Sequence, residues 1–160
     1  MVNLKIVICD TEKTELAEYA RICQTVCEQK QISADLEIFS DCDSFLLKMN
    51  NPKYRSAVDI LIIDPTDGYD ETVSVVRKLG YRWLIIYLSR SEDKKHLQQA
   101  FDNEAYNYCT KGNTERFSTV LSNAIKTVKR EKYPSDGFAF SWELREKRCT
   151  DQLVDFAANA

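Results

Sequence analysis

Two short stretches of this chain, "DILII" at residues 59–63 and "WLIIYLS" at 83–89, are apolar at almost every position instead of alternating. A strand with one wet face alternates, whereas a strand buried on both faces reads as a continuous apolar run, and the structure that buries both faces is a parallel sheet covered by helices. The neighbouring segments fit that demand. "LKIVIC" (4–9) stops at Asp10 and is followed by "EKTELAEYARICQTVCEQ", with Leu16, Ala20, Cys23, Val26 and Cys27 at helical spacing. The same unit recurs with "DLEIFS" before "DCDSFLLKMNN", "DILII" before "DETVSVVRKLG", "WLIIYLS" before "EDKKHLQQAFDN", and "AYNYC" before "NTERFSTVLSNAIKTVKR". Five strand–helix pairs predict an α/β fold: a five-stranded parallel, doubly wound sheet of flavodoxin-like order 2-1-3-4-5.

Boundary residues support the register. Asp41 or Asp43 before "SFLL" and Asn113 or Thr114 before "ERF" are side chains that cap free N–H groups at helix starts, while Asn51-Pro52 and Gly80 mark helix ends. The five pairs define one domain over residues 1–132. Pro134, Asp136 and Gly137 then break the pattern, and 133–160 reads as a C-terminal extension or the start of an output domain, with "FAFSWEL" as a strand and "TDQLVDFAANA" as a short helix.

Bulk properties remove several function classes. A formal charge of -3 gives no overall pull toward nucleic acid or anionic membrane. No apolar run approaches the roughly 18 residues of a membrane span, and the first residues do not form a signal peptide, so the expected location is the cytoplasm. The six cysteines form no CxxC pair and the chain has a single histidine, His96, so reduced, mostly buried thiols are expected in place of a zinc site or disulfides. His96 itself reads as a surface residue of the fourth helix. Lys126, Lys129, Arg130 and Lys132 end the fifth helix, where cations complement the helix dipole. Trp83 and Trp142 read as packing residues. Four glycines and no Gly-rich phosphate loop speak against a nucleotide-binding enzyme of this architecture.

In an open parallel sheet, ligands bind beyond the carboxyl ends of the strands. The residues there are Asp10 with Glu12, Asp64, Ser89 and Lys111, and the order 2-1-3-4-5 gathers them on one rim. Carboxylates on a rim suit a hard cation such as Mg²⁺, one carboxylate can act as a nucleophile toward phosphorus, and a hydroxyl and an ammonium can steady the transferred group's oxygens. Asp64 is the expected nucleophile, with Asp10 and Glu12 toward the metal.

The motifs "VICDTEK", "DILIIDP", "IIYLSRS" and "YNYCTKG", in this order over residues 3–130, resemble the receiver domain of two-component response regulators. The "ICD-x-E" opening is most similar to regulators with a LytTR-type DNA-binding output. The resemblance implies that Asp64 accepts a phosphoryl group from a histidine kinase, that Asp10, Asp64 and Glu12 serve Mg²⁺, that Ser89 and Lys111 contact the phosphoryl group, and that Tyr108 is the aromatic switch. It further implies a phospho-acceptor signalling domain rather than an enzyme. A homodimer would form through the face of the fourth helix, fifth strand and fifth helix, and DNA contact would come only through a further output domain. Taken by itself, Tyr108 also reads as an ordinary strand residue with its body in the core and its hydroxyl exposed.

Three positions depart from the motif. Thr11 stands where a second acid follows Asp10, the loop "DPTDGYD" is short, and Gly112 follows the lysine where a proline is usual. They leave open a second reading, a pseudo-receiver that works as a phosphorylation-independent interaction module.

Overall fold

The computed structural model describes residues 2–90 and 93–133; the expected strand and helix beyond Tyr133, together with Cys149 and Trp142, lie outside the described residues. The strands are β1 (Asn3–Cys9), β2 (Ser33–Phe39), β3 (Ile60–Ile63), β4 (Leu84–Ser89) and β5 (Asn107–Thr110). The helices are α1 (Lys13–Gln29), α2 (Cys42–Met49), α3 (Pro52–Ala57), α4 (Tyr69–Lys78), α5 (Lys94–Asp102) and α6 (Thr114–Lys132). All pairings are parallel and the sheet order is β2-β1-β3-β4-β5. This is the doubly wound arrangement that the apolar runs demand.

Alternate residues of each central strand feed two separate cores. Ile6, Ile8, Ile60, Ile62, Leu84 and Ile86 pack with α1 and α6, whereas Val7, Cys9, Leu61, Ile63, Ile85 and Tyr87 pack with α2, α4 and α5. β3 and β4 are buried at every position, which is why neither could alternate in sequence. Helix starts carry side-chain caps: Asp41 accepts from the Ser44 N–H, Asn113 from the Arg116 N–H and Asp93 from the Lys95 N–H. Each satisfies one of the backbone donors that a helix leaves free at its first turn.

Two expectations need correction. Asn51-Pro52 does follow the end of α2, but Asn51 also caps the Lys53 N–H and Pro52 opens a further helix, α3, that was not expected. Proline at the first helical position needs no N–H and has the right φ, so the same dipeptide that stops one helix starts another. His96, expected on the surface, is half-buried, and its Nδ1 is shielded from solvent. The remaining features follow expectation: Cys9, Cys23, Cys27 and Cys109 are buried free thiols, Trp83 is packed in the core with its Nε1 donating to the Arg55 carbonyl, and Lys129, Arg130 and Lys132 occupy the last turn of α6. Among the described residues, no helix is long and apolar enough to cross a membrane.

The short loop after β3 turns on a left-handed pair, Asp67 (φ 58) and Gly68 (φ 89), and a Cβ at Gly68 would meet Cys42 Sγ at 3.2 Å. Gly112 is also left-handed (φ 98), but open space surrounds its missing side chain. Gly68→Ala therefore combines strain with crowding and is expected to cost about 2 kcal/mol, against about 1 kcal/mol for Gly112→Ala, a ranking that thermal melts of the two variants check.

Candidate functional site

The carboxyl ends of β1, β3, β4 and β5 open into a cavity of about 350 Å³. Asp10 and Asp64 arrive on the ends of adjacent strands, tied by the Asp64 N–H donating to the Cys9 carbonyl at 3.0 Å. Ser89 and Lys111 are brought together by β4 and β5, with the Lys111 N–H donating to the Ser89 carbonyl at 2.7 Å. All four line the cavity, as does Glu12.

Its centre is the Lys111 ammonium. Nζ lies 2.7 Å from Asp10 Oδ2, 2.7 Å from Asp64 Oδ2 and 2.7 Å from Glu15 Oε2, and the Lys111 side chain is only 5% exposed. The other oxygens of the two aspartates are engaged by backbone and hydroxyl donors. Asp10 Oδ1 accepts from the Glu12 N–H at 2.9 Å, and Asp64 Oδ1 accepts from the Thr66 N–H at 2.9 Å and the Thr66 hydroxyl at 2.6 Å.

These contacts set the charge states. Burial pushes the Asp64 carboxyl up, but the Lys111 ammonium and the two Thr66 donors outweigh it and hold Asp64 below its ordinary value. For Asp10, burial prevails over Lys111 and the Glu12 N–H, with the Asp64 charge adding to it, and the carboxyl is raised. Burial alone would lower Lys111, yet its three carboxylate partners reverse the sign and raise it. Asp64 is thus the more firmly ionised of the two aspartates.

Glu12, expected to face a metal, caps the start of α1 through its backbone, and its residue is exposed at the cavity mouth. Its place in the centre is taken by Glu15, one turn into α1, which also pairs with Arg90. Thr11 does not point at the aspartates either: its hydroxyl donates to Asp67 Oδ2 at 2.7 Å. Glu15, Thr66 and Asp67 were not singled out in sequence. An acid in the first turn of a helix looks like ordinary dipole matching, and a Thr-Asp-Gly turn looks like loop chemistry.

Tyr108 lies beneath the cavity and not in it. It is fully buried and stacks on Tyr87 at 5.9 Å between ring centroids, so the exposed-hydroxyl reading is incorrect. Tyr87 in turn donates to Asp70 Oδ1, which also accepts from Asn103 Nδ2 at 3.0 Å. The aromatic pair therefore connects the floor of the site to a buried polar network joining α4 and α5.

The donor set is of the oxygen type that a hard divalent cation takes, although both aspartates already spend one oxygen on Lys111. Asp10 and Asp64 already turn one oxygen each toward a single compact cation, and the five acids around the cavity (Asp10, Glu12, Glu15, Asp64, Asp67) outnumber its cations Arg90 and Lys111. Among the described residues, no cluster of three or more His, Cys, Asp or Glu side chains is spaced to hold an ion unaided, so water and a phosphoryl oxygen would have to complete the shell. A larger depression of about 510 Å³ opens at the other end of the sheet, and several of its polar groups are paired, Lys132 with Asp59 at 3.1 Å and Trp83 with the Arg55 carbonyl at 2.7 Å.

No family model and no curated protein matches the sequence. Solved structures do match. A response regulator receiver domain protein from Clostridium thermocellum superposes with a TM-score of 0.63 at 18% identity, covering 79% of this chain and 97% of that one. A response regulator receiver protein from Pseudoalteromonas atlantica gives 0.63 at 16% identity, covering 78% and 99%. The response regulator DrrB of Thermotoga maritima gives 0.61 at 18% identity over 79% of this chain and 54% of that longer one, so the chain spans about half its length. The fold is that of response regulator receiver domains.

Proposed function

We propose that this chain is a receiver domain of two-component signal transduction in which Asp64 accepts a phosphoryl group from a histidine kinase, and that it acts in the cytoplasm as a phospho-acceptor and not as an enzyme. The observation that carries this reading is the convergence of Asp64, Asp10, Ser89 and Lys111 on one rim of a receiver fold, with Asp64 held ionised and its Oδ2 at 2.7 Å from the Lys111 ammonium. In the transfer, a carboxylate oxygen of Asp64 attacks the phosphorus of a phosphohistidine. The P–O bond of an acyl phosphate forms, the P–N bond breaks, and the electron pair returns to the imidazole nitrogen, which takes a proton. Lys111 supplies charge to the transferred oxygens and Ser89 a hydroxyl donor. Asp10, with Asp64, would hold Mg²⁺, whose chemistry when bound is to neutralise charge on the phosphoryl oxygens. The state of the pocket is read at the face of α5, β5 and α6 as a dimer surface, with Tyr108 following Ser89, and the output is control of transcription through a further domain.

Incubation with acetyl phosphate and Mg²⁺, followed by intact-mass measurement, is expected to add one phosphoryl group to the protein and none to Asp64→Ala. No added mass on the unsubstituted protein, or an adduct that survives Asp64→Ala, overturns the reading.

A second reading, a pseudo-receiver used as an interaction module, draws on one observation: Thr11 offers no carboxylate and spends its hydroxyl on Asp67. Saturable Mg²⁺ binding followed by tyrosine and tryptophan fluorescence, and lost in Asp10→Ala, would count against it.

A further inference from the structure

Glu15 is the one member of the ammonium's three carboxylates that sits on a helix and not at a strand end, and its contacts differ in kind. Asp10 and Asp64 each have a second oxygen held by backbone donors. Glu15 has none: Oε2 faces Lys111 Nζ at 2.7 Å but off the direction of a hydrogen bond, and Oε1 pairs with Arg90, whose side chain is 71% exposed. A lysine ammonium has three N–H donors. A phosphoryl group arriving on Asp64 calls the ammonium toward its own oxygens, and the contact given up most readily is the one that is not a directed hydrogen bond, that with Glu15. Releasing Asp10 would take a hydrogen bond from a buried carboxylate; releasing Glu15 takes none, because its Oε2, though buried, has no hydrogen bond to lose and Arg90 stays on Oε1.

We propose that Glu15 is a positioning residue that restrains the Lys111 ammonium from turning fully onto an incoming phosphoryl group, and that Arg90, the residue after Ser89, sets the strength of this hold by competing for the same carboxylate. This rests on the phospho-acceptor reading for its consequence, though not for its geometry. The exchange balances in charge: Lys111 passes from Glu15 to the phosphoryl oxygens while Glu15 keeps Arg90. It also couples the segments after β4 and β5 to the first turn of α1, since Glu15 Oε1 faces Arg90 and Oε2 faces Lys111.

Two variants move the hold in opposite directions. Glu15→Gln keeps the shape but removes the charge, and Arg90→Gln leaves Glu15 with Lys111 alone. Lys111 acylation by acetic anhydride, mapped by peptide mass against the exposed Lys53 and Lys94, reads the hold without any phosphoryl transfer. It is expected to rise about threefold in Glu15→Gln and to fall in Arg90→Gln, the scale that a partly exposed ion pair supports. The rate of Asp64 phosphorylation from acetyl phosphate is expected to follow in the same directions. Because Arg90 is on the surface, its variant keeps the test alive should Glu15→Gln fold poorly. Unchanged Lys111 labelling in both variants overturns the proposal. Labelling that moves as expected on a protein that takes up no phosphoryl group sinks the phospho-acceptor reading and leaves the Glu15 hold standing.

Discussion

Lys111→Met is expected to lose about 3 kcal/mol of stability at pH 7, and most of that loss is expected to vanish near pH 4. The ammonium is nearly enclosed and faces three carboxylates, and removing one side of a buried ion pair leaves uncompensated charge at a cost of about 3–5 kcal/mol, toward the low end here because the cavity is open to water. The pH dependence follows from the directions of the shifts. Asp64 is held below its ordinary value, so its contribution is complete above the unfolded carboxyl value of about 3.9 and is lost as pH falls through the lower folded value. Lys111 is raised, so its contribution is complete below the unfolded lysine value of about 10.4 and is lost only as pH rises through the higher folded value. Between those limits Asp64 and Lys111 contribute fully, while the raised Asp10 carboxyl costs some stability as pH rises through its value. Without the ammonium, only the Thr66 donors and the Glu12 N–H oppose burial at Asp64 and Asp10, both carboxyls move up, and the variant weakens as pH rises from 4 to 7. Urea denaturation at the two pH values measures the difference; an equal loss at both would mean that the methionine disturbs packing and that the charge cluster does not matter to stability.

The parts of this molecule that were legible in sequence are those set by burial. β3 and β4 are buried throughout, so a helix-covered parallel sheet followed from "DILII" and "WLIIYLS", and its expected order from the five strand–helix units. The rim residues Asp10, Asp64, Ser89 and Lys111 were legible for the same reason, since each stands where a buried strand ends. What was not legible depends on side-chain direction. Glu12 and Glu15 are both acids at the start of α1, and only the helix's rotation about its axis sends Glu15 to Lys111 and leaves Glu12 at the mouth. His96 lies among Lys94, Lys95, Gln98 and Gln99, which made the whole segment look solvated, yet one face of α5 turns toward the cavity. Asn51-Pro52 is a stop and a start at once, and the choice between them lay in whether the next six residues had something to pack on; Tyr54 of α3 does, donating to Glu37 at 2.7 Å.

Arg77 was equally invisible, a basic residue in the last turn of α4 where the helix dipole explains it without remainder. In the structure its guanidinium donates to four main-chain carbonyls: Tyr81 at 2.8 Å and Trp83 at 2.9 Å in the turn before β4, and Asn103 at 2.9 Å and Glu104 at 3.1 Å in the turn before β5. Those turns contain the left-handed Gly80 and Glu104. Arg77→Met keeps the aliphatic stem but leaves the four acceptors to whatever water can reach, and is expected to cost about 3 kcal/mol, lowering the melting temperature by roughly 10 °C. Arg77→Lys is expected to recover little, because one ammonium cannot span two turns as a planar fork does. The substitution acts at the amino ends of β4 and β5, whereas Ser89 and Lys111 stand at their carboxyl ends. At a temperature where Arg77→Met remains folded, phosphorylation of Asp64 is therefore expected to proceed as in the unsubstituted protein. A variant that is folded by circular dichroism yet fails to take up the phosphoryl group would show instead that the geometry of the rim is set from the far end of the sheet.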